Sequence, residues 1–366
     1  MAQGVYTFSP GPAVLPLPVL QQAQRELVAL EGIGISPLEM SHRSAWFAQV
    51  LEETTANLRR LLRIPEDYTV LYLQGGSRLQ FSMVPMNLLR GSQLPADYIL
   101  TGSWGKKALA EARREGTVHV AYDGQEHNYR RVPRPEELNL SPEAAYVHFT
   151  SNETIQGVQF QQLPPGNGPL VCDASSDFLS RPLDVSRFGL IYACAQKNAG
   201  PAGVTVVIIR NELLDRVPEG LHSMLDYRQQ AQAGSLLNTA PVFACWIVLL
   251  VTRWLLEEVG SLEAMHQRNQ AKAQLLYEVL DQYPDFYIGH AEPESRSLMN
   301  VTFRLPSQEL TQSFLAEAEA QGLKELKGHR SVGGVRASIY NAMPLEGVEK
   351  LREFMLQFVK RASVSR

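Results

Sequence analysis

The chain has 366 residues, of which 45% are hydrophobic and 20% charged, and its formal net charge is −4 at pH 7. This length favours one large and one smaller domain, and this composition is typical of a folded globular protein. The slight negative charge gives no electrostatic footprint for nucleic acid or an acidic membrane surface, so both are excluded as leading partners.

The N-terminal region predicts an irregular arm followed by a helix. Prolines and a glycine within residues 8–12 oppose regular structure. Residues 16–31 then carry apolar side chains at helical spacing, and Gly32 and Gly34 end the predicted helix. We expect the arm, residues 1–16, to pack with the C-terminal part of the chain.

A polar segment, residues 40–44, precedes a second predicted helix at residues 46–62. Ser44 is suited to cap that helix, because a serine hydroxyl accepts hydrogen bonds from free N–H groups of the first turn. The adjacent His42 and Arg43 equally suit an anionic ligand. From these residues alone, helix entry and anion binding are balanced alternatives.

From Thr69 onward, short β-rich runs alternate with helical patterns, which predicts an α/β fold. Strands are expected at residues 69–73, 98–101, 118–122, 145–149, 170–172, 190–193 and 204–209. Helices are expected after two of them, at residues 79–89 and 104–114. This alternation indicates a largely parallel sheet, of about seven strands, with helices on both faces.

The character of the chain changes after residue 210, where long helical patterns dominate. The predicted elements are helices at 242–259 and 262–283, a strand at 298–303, a helix at 307–321, a strand at 335–339 and a helix at 345–359. We therefore expect a large domain over residues 17–256 and a smaller α+β domain over residues 257–366 that includes the N-terminal arm.

Cysteine usage and hydropathy indicate the compartment. The cysteines are Cys172, Cys194 and Cys245. Their odd number and spacing favour a reducing compartment over a disulfide framework or a zinc site, and no metal is expected.

Residues 1–12 lack the features of a signal peptide. The most apolar segment, residues 242–256, contains Arg253 and is too short to span a bilayer, so we expect a buried or interfacial helix in a cytoplasmic protein.

An acid and an amine at the ends of two predicted strands suggest the chemistry. Asp173 ends one apolar run, and Lys197 follows another, at a separation typical of one strand–connection–strand unit. Such a pair suits pyridoxal phosphate, because the lysine can form a Schiff base while the acid pairs with the pyridinium nitrogen. The alternatives are a helix cap or salt bridge for Asp173 and a solvated surface charge for Lys197.

Other candidate ligand contacts follow predicted strands. The loop at residues 75–78 suits a phosphate but matches no nucleotide-binding motif. Trp104 is either a core residue or a stacking surface for an aromatic cofactor. The polar cluster at residues 150–154 is either a turn or a ligand contact, and Thr154 could reach a phenolic oxygen of a cofactor ring.

Longer motifs resemble the phosphoserine aminotransferase family. They lie at residues 8–12, 180–185, 196–198, 328–334 and 336–344. The motifs occur in the same order as in the family, and the resemblance extends over essentially the whole chain. The family is a fold-type I, class V group of pyridoxal-phosphate-dependent aminotransferases that work as homodimers. The resemblance implies a large domain with a mostly parallel sheet, a smaller α+β C-terminal domain, and active sites shared between two subunits.

The resemblance also implies roles for individual residues. Lys197 would form the Schiff base with pyridoxal 5'-phosphate, and Asp173 would pair with its ring nitrogen. Further cofactor contacts would come from Ser77, Arg78, Trp104, Thr154 and Gln196, and from Asn238 and Thr239 of the other subunit. Substrate contacts would come from Ser9, His42, Arg43, His329, Arg330 and Arg336. Two departures stand out, Ser77 where a glycine is common and Asp177 where many relatives have a small hydroxyl residue.

The implied activity is reversible transamination between O-phosphoserine with 2-oxoglutarate and 3-phosphohydroxypyruvate with glutamate, in serine biosynthesis. The family's second reaction, which forms 4-phosphooxy-threonine for pyridoxine biosynthesis, is expected as a side activity. The runner-up is an alanine–glyoxylate-type aminotransferase, which would have little use for so many cationic side chains. A cysteine desulfurase would need a late reactive cysteine, and none follows Cys245. A silent cofactor-binding regulator is disfavoured by the complete Asp173–Lys197 pair.

Overall fold

The computed structural model describes residues 4–364 and has an α/β architecture. Its helices are α1 (Leu17–Glu26), α2 (Ala45–Leu62), α3 (Gly76–Leu88), α4 (Ser103–Ala112), α5 (Asn211–Leu214), α6 (Tyr227–Gln232), α7 (Val242–Trp254), α8 (Leu262–Gln282), α9 (Gln308–Ala320) and α10 (Leu345–Val364). Its strands are β1 (Tyr6–Thr7), β2 (Tyr68–Leu73), β3 (Ala96–Leu100), β4 (Val118–Asp123), β5 (Tyr146–Thr150), β6 (Asn152–Glu153), β7 (Val158–Gln159), β8 (Leu170–Asp173), β9 (Phe188–Cys194), β10 (Thr205–Arg210), β11 (Ile288–Gly289), β12 (Asn300–Arg304), β13 (Leu323–Lys324) and β14 (Val335–Ser338).

The main sheet has seven strands within the described residues, in the order β2-β10-β9-β8-β5-β3-β4. Strand β10 runs antiparallel to β2 and β9, whereas the other neighbours are parallel. The predicted seven-stranded, mostly parallel sheet is therefore confirmed. Parallel strands place their carboxyl ends at one edge, and the polar residues that follow β5, β8 and β9 meet there.

Both faces of this sheet are covered by apolar layers. Along β8 and β9, Cys172 and Ile191 belong to one buried cluster, whereas Val171 and Leu190 belong to the other. This alternation follows from the two-residue period of a strand, and continuous apolar runs are expected where helices pack on both faces. Helix α7, predicted as a buried helix, is almost entirely buried and packs against α2.

A second core lies in the C-terminal part of the chain. Strands β11, β12 and β14 form an antiparallel sheet that packs with α8, α9 and α10. The N-terminal arm joins this core through Phe8 and Val14, and β1 pairs in parallel with β13. Helix α8 contributes Met265 to the large core and Leu276 to the small one. The domain boundaries at residues 16/17 and 256/257 remain a prediction, and residues 1–3 and 365–366 lie outside the described residues.

Two predicted boundaries were wrong. Helix α1 ends at Glu26 instead of residue 31, because Leu20 and Leu27 on its predicted apolar face are 42% and 40% exposed and give further turns little packing. Residues 76–78 form the first turn of α3 rather than a loop. Gly75 adopts a φ of +86°, which turns the chain directly from β2 into the helix.

A buried lysine links the small core to the end of β9. The Nζ of Lys272 donates to the carbonyl oxygens of Ile339 and Tyr340 at 3.0 and 2.6 Å, and to that of Asn341 at 3.4 Å. The backbone N–H of Asn341 in turn donates to Oδ1 of Asn198 at 2.9 Å. The segment after β14 is therefore attached to the residue that follows Lys197. This attachment fixes the position of the small core relative to Lys197.

No helix within residues 4–364 has the length and apolar character required to cross a bilayer. The three cysteines are buried and carry free thiols.

Candidate active site

A cavity of about 360 Å³ lies at the carboxyl edge of the main sheet. Nine of the predicted site residues line it, namely Ser77, Arg78, Trp104, Thr154, Asp173, Gln196, Lys197, His329 and Arg336. Both cores contribute, since Arg336 lies on β14 and Asp173 ends β8. The cavity therefore lies between the sheet and the C-terminal part of the chain.

Lys197 projects into this cavity from the turn after β9. Its side chain is half-buried, and its Nζ donates to Oγ1 of Thr154 over 2.7 Å. The same Nζ lies 5.8 Å from the centroid of the Trp104 ring. The amine is thus held beside a flat aromatic surface, at a position from which it can act as a nucleophile or base.

Asp173 is buried at the end of β8, with 4% of its surface exposed. Its Oδ1 accepts hydrogen bonds from the backbone N–H and the hydroxyl of Ser175, at 3.0 and 2.5 Å. Burial raises the pKa of Asp173, while the bonds from Ser175 and the charge of Lys197 lower it. A cationic ring nitrogen would remove the remaining penalty of holding this carboxylate ionised.

Ser175 is a site residue that the sequence interpretation missed. Its Oγ also lies 2.5 Å from Oγ of Ser77, which accepts from the N–H of Cys194 at 3.2 Å. Ser77 therefore uses its side chain to connect α3 with the ends of β8 and β9. The signal in the sequence was the pair of serines that follows Asp173 by two residues, since a short hydroxyl side chain can bond a nearby carboxylate.

The first turn of α3 forms one wall of the cavity. Its free backbone N–H groups and the helix dipole make this terminus suited to a phosphate. A Cβ at Gly75 would lie 2.6 Å from the side chain of Leu79, so glycine is required by space as well as by φ. Arg78 is exposed at this turn, with its guanidinium 5.7 Å from the ring centroid of Phe81.

Trp104 lies in the first turn of α4, where the sequence predicted a helix to open. Its indole Nε1 is buried and has no hydrogen-bond partner within residues 4–364. Its backbone N–H donates to Oε2 of Glu153 at 3.0 Å. In the polar cluster at residues 150–154, Thr150 ends β5 and residues 152–153 form β6, so the cluster is mostly strand and not a turn. Thr154 lines the cavity, and its contact with a ligand stays a prediction.

Arg336 and His329 close the opposite side. Arg336 is 7% exposed, its Nη1 donates to the carbonyl oxygen of Thr154 at 3.5 Å, and its buried Nε lacks a partner in the described part of the chain. Burial, followed by the charge of Arg336, lowers the pKa of His329. Nδ1 of His329 lies 2.7 Å from Oγ of Ser331. The guanidinium of Arg336, with its positive charge and its unused donor, suits an anion, and the neighbouring imidazole of His329 offers a further polar contact.

Six predicted residues do not line the cavity of a single chain, namely Ser9, His42, Arg43, Arg330, Asn238 and Thr239. Arg43, Arg330 and Thr239 are exposed. Asn238 is partly buried, and its Nδ2 donates to Oε1 of Gln74 at 2.6 Å. Their roles stay predictions.

Asp177, the second residue that departs from the family pattern, uses its carboxylate for contacts within the protein. One carboxylate oxygen accepts from the hydroxyl of Ser151, and the other accepts from Nε2 of Gln159 at 3.0 Å and lies 3.5 Å from the guanidinium of Arg181. Asp177 does not line the cavity. The added charge is therefore neutralised locally rather than presented to a ligand.

The sequence and the fold are similar to those of known aminotransferases. A family model described as aminotransferase class-V matches residues 5–351. A phosphoserine aminotransferase of Geobacillus kaustophilus is 53% identical over 356 residues, which are 97% of this chain and 98% of the relative. The solved phosphoserine aminotransferase from Bacillus circulans subsp. alkalophilus has a TM-score of 0.95 and 49% identity, covering 98% of this chain and 99% of that one.

A PLP-bound phosphoserine aminotransferase structure from Trichomonas vaginalis has a TM-score of 0.90 and 40% identity, covering 96% of this chain and 99% of that chain. These similarities extend over nearly the full length of each protein. They confirm the fold expected from the sequence motifs.

Proposed function

The chain belongs to the class-V aminotransferase family, and we propose that it catalyses reversible transamination between glutamate and 3-phosphohydroxypyruvate, which yields 2-oxoglutarate and O-phosphoserine. The observation that carries this proposal is one cavity that joins an amine–acid pair, Lys197 and Asp173, with the cationic Arg336 and the imidazole of His329. The near-50% identity to phosphoserine aminotransferases supports the same substrate pair and a place in serine biosynthesis.

The residues around the cavity fit pyridoxal phosphate, the cofactor of this family. Buried polar atoms without partners in the described chain face this region, including Nε1 of Trp104, Nε of Arg336 and Oγ1 of Thr150. Lys197 would hold the cofactor covalently, Asp173 would pair with the ring nitrogen, and Trp104 would cover the ring. The first turn of α3, with Ser77 and Arg78, would bind the phosphate, and Thr154 and Gln196 would contact the ring and its substituents.

The chain's own groups move and hold the protons. When bound, pyridoxal phosphate supplies an electron sink for the bond that breaks at the substrate Cα. Lys197 Nζ would remove the Cα proton as a general base and, as a general acid, would deliver it to the cofactor carbon that carries the transferred nitrogen; the reverse direction would use the same two transfers. Thr154 Oγ1 orients that amine, and Asp173 keeps a proton on the ring nitrogen by opposing its loss with a fixed negative charge.

Arginine and histidine select the substrate. Arg336 offers a planar set of donors to a carboxylate or phosphate, in a buried position where charge-assisted bonds are strong. His329, with Arg330, His42 and Arg43 nearby in the assembled enzyme, would supply charge for the second anionic group, and Ser9 would add a hydroxyl. The substrates of an alanine–glyoxylate-type reaction would need only one such anion-binding group.

A second copy of the chain would complete the site. Apolar residues at 17–38 are exposed in the single chain, including Val28 at 84% and Leu38 at 63%. Such a patch is typical of a subunit interface. We therefore infer a homodimer in which Asn238 and Thr239 reach the partner's phosphate site. The buried free thiols are consistent with a cytoplasmic location.

The proposed function is tested by two half-reactions. Purified protein loaded with pyridoxal phosphate should lose its visible absorption with glutamate and regain it with 3-phosphohydroxypyruvate. The measurement is stopped-flow absorption with each oxo acid in turn. Recovery with pyruvate or glyoxylate, but not with the phosphorylated acid, would favour the alanine–glyoxylate alternative and reject this assignment.

A shared site predicts complementation between two defective chains. A Lys197→Ala chain and an Asn238→Ala/Thr239→Ala chain should each be weakly active alone at limiting pyridoxal phosphate. A hybrid dimer, isolated through two different affinity tags, should recover about half of the wild-type kcat, because one of its two sites is intact. If each chain built its own site, the hybrid would be no more active than its parents.

Arg336→Lys should raise KM for both amino-acid substrates by roughly 10- to 100-fold, because a lysine cannot reproduce a two-point bond to an anion. The effect on kcat should be much smaller. Steady-state kinetics would measure both. The matched control is Arg304→Lys, an exposed arginine at the end of the neighbouring strand β12, which should leave KM within about twofold. Equal effects of the two substitutions would contradict a clamp role.

A further inference from the structure

Glu153 is a buried carboxyl that the proposed chemistry leaves without a role. It lies in β6 with no exposed surface. Its Oε2 accepts from the N–H of Trp104 at 3.0 Å, and its Oε1 accepts from the N–H of Gly105 at 2.9 Å. Both donors belong to the first turn of α4, where N–H groups have no partner within the helix. The carboxyl therefore caps α4 from a distant part of the chain.

The start of α4 has no cap of its own. Gly102 occupies the position before the helix and has no side chain to accept these bonds. A Cβ there would lie 2.5 Å from Cδ of Glu153, so the glycine leaves room for the carboxyl. Gln156 completes the contact, since its Oε1 accepts from the N–H of Ser103 at 3.3 Å. The hairpin of β6 and β7 thus holds three successive N–H groups of α4.

We propose that Glu153 is a positioning residue that fixes Trp104 over the cofactor ring. The inference rests on the proposed function, because it takes Trp104 as the residue that covers pyridoxal phosphate. Trp104 is half-buried and its indole N–H has no partner in residues 4–364, so its own side-chain bonds do not fix it. The backbone is held instead, because the N–H groups of Trp104 and of the next residue, Gly105, donate to the carboxyl of Glu153. The same hairpin continues into Thr154, which binds Lys197.

The capping bonds also depend on the charge of the carboxyl. Burial raises the pKa of Glu153 to about 7. The charged and titratable groups that act on it are Asp173, Lys197, Lys107 and Tyr129. An ionised carboxylate accepts both N–H groups, whereas a protonated one presents a donor in place of one acceptor. The cap is therefore strongest at pH values well above 7 and weakens as the pH falls through about 7.

A double-mutant cycle between Glu153→Gln and Trp104→Ala tests the proposal, because alanine keeps the backbone N–H that Glu153 holds but removes the ring that it would position. The readout is the dissociation constant of pyridoxal phosphate from the full-length holoenzyme at pH 8, followed by visible absorption on dilution. Glu153→Gln should weaken binding by roughly tenfold in the wild-type background, the scale of a lost helix cap. In the Trp104→Ala background, the same change should have less than about a twofold effect, because no ring is left for Glu153 to position and residues that act through each other are not additive.

An equal loss in both backgrounds would overturn the proposal, because Glu153 would then act on the cofactor independently of Trp104. Glu153→Asp keeps the charge but shortens the reach, so it should lie between wild type and Glu153→Gln. If Glu153→Gln does not fold, Glu153→Asp takes its place in the double-mutant cycle. Between pH 8 and pH 6, the wild type should lose more affinity than Glu153→Gln, and identical pH profiles would also contradict the proposal.

Ser307→Ala is the matched control. It removes the cap of α9, where Oγ of Ser307 accepts from the N–H of Leu310 at 3.1 Å, and Ser307 does not line the cavity. It should lower the melting temperature without changing pyridoxal phosphate affinity. A wild-type protein that fails to bind the cofactor or to complete the half-reactions would reject the proposed function itself. A wild type that does both, with an additive cycle, would reject only the role of Glu153.

Discussion

Lys197→Ala should lower kcat for transamination by about 10⁴-fold, because it removes both the covalent attachment and the general base. In the structure the Nζ of Lys197 is held by Thr154 at 2.7 Å and faces the Trp104 ring, so no small side chain at this position can replace it. The measurement is single-turnover kinetics with glutamate. Borohydride treatment, followed by mass spectrometry, should fix pyridoxal phosphate to the wild-type chain and leave the variant unmodified.

Lys106→Ala is the control for this result. Lys106 is an exposed lysine on α4, close to Trp104 in the chain but outside the cavity lining. Its replacement should leave kcat and borohydride fixation unchanged. A Lys197→Ala protein that borohydride still labels at a specific lysine would show that another amine holds the cofactor, and the assignment of Lys197 would be wrong.

Asp173→Asn should lower kcat by roughly 10²- to 10³-fold, the scale of losing one fixed electrostatic partner. The asparagine oxygen can still accept both bonds from Ser175, so the local structure should persist while the negative charge is lost. Without that charge, the ring nitrogen would not keep its proton, and the electron sink would be weaker. The rate of the glutamate half-reaction measures the effect directly.

Asp177→Asn separates this charge effect from the general consequence of altering a buried carboxylate. Asp177 is as buried as Asp173, but it bonds Ser151 and Gln159 and lies outside the cavity lining. It should reduce stability while kcat changes by less than a few-fold. If Asp177→Asn slowed the half-reaction as much as Asp173→Asn, the special role of Asp173 would be contradicted.

The positions of Asp173 and Lys197 could be predicted because strand ends are visible in a sequence. Each follows a continuous apolar run, and parallel neighbours bring such ends together at one edge of the sheet. The same logic located Trp104 and Thr154. It did not find Ser175 or Glu153, because their importance lies in which backbone or side-chain groups they bond. Those partners are two residues away for Ser175 but about fifty for Glu153.

The prediction for α1 failed for a related reason. Spacing alone predicted a helix to residue 31, yet an apolar face stabilises a helix only where another surface covers it. Leu27 and Val28 have no such cover in the single chain, being 40% and 84% exposed. Asn238, Thr239 and Arg43 likewise do not line the cavity of the single chain, and their predicted contacts with a ligand depend on the proposed second chain.

The sequence by itself determined the α/β class, the order of the strands along the chain and the family, because periodicity and local motifs are written in consecutive residues. It also predicted the Lys197–Asp173 chemistry. The tertiary structure decided what depends on distant partners: the strand order across the sheet, the capping of α4 by Glu153, the bond between Gln159 and Asp177, and the attachment of the segment after β14 to Asn198. Each of these is a contact between segments whose sequences carry no sign of one another until the chain folds.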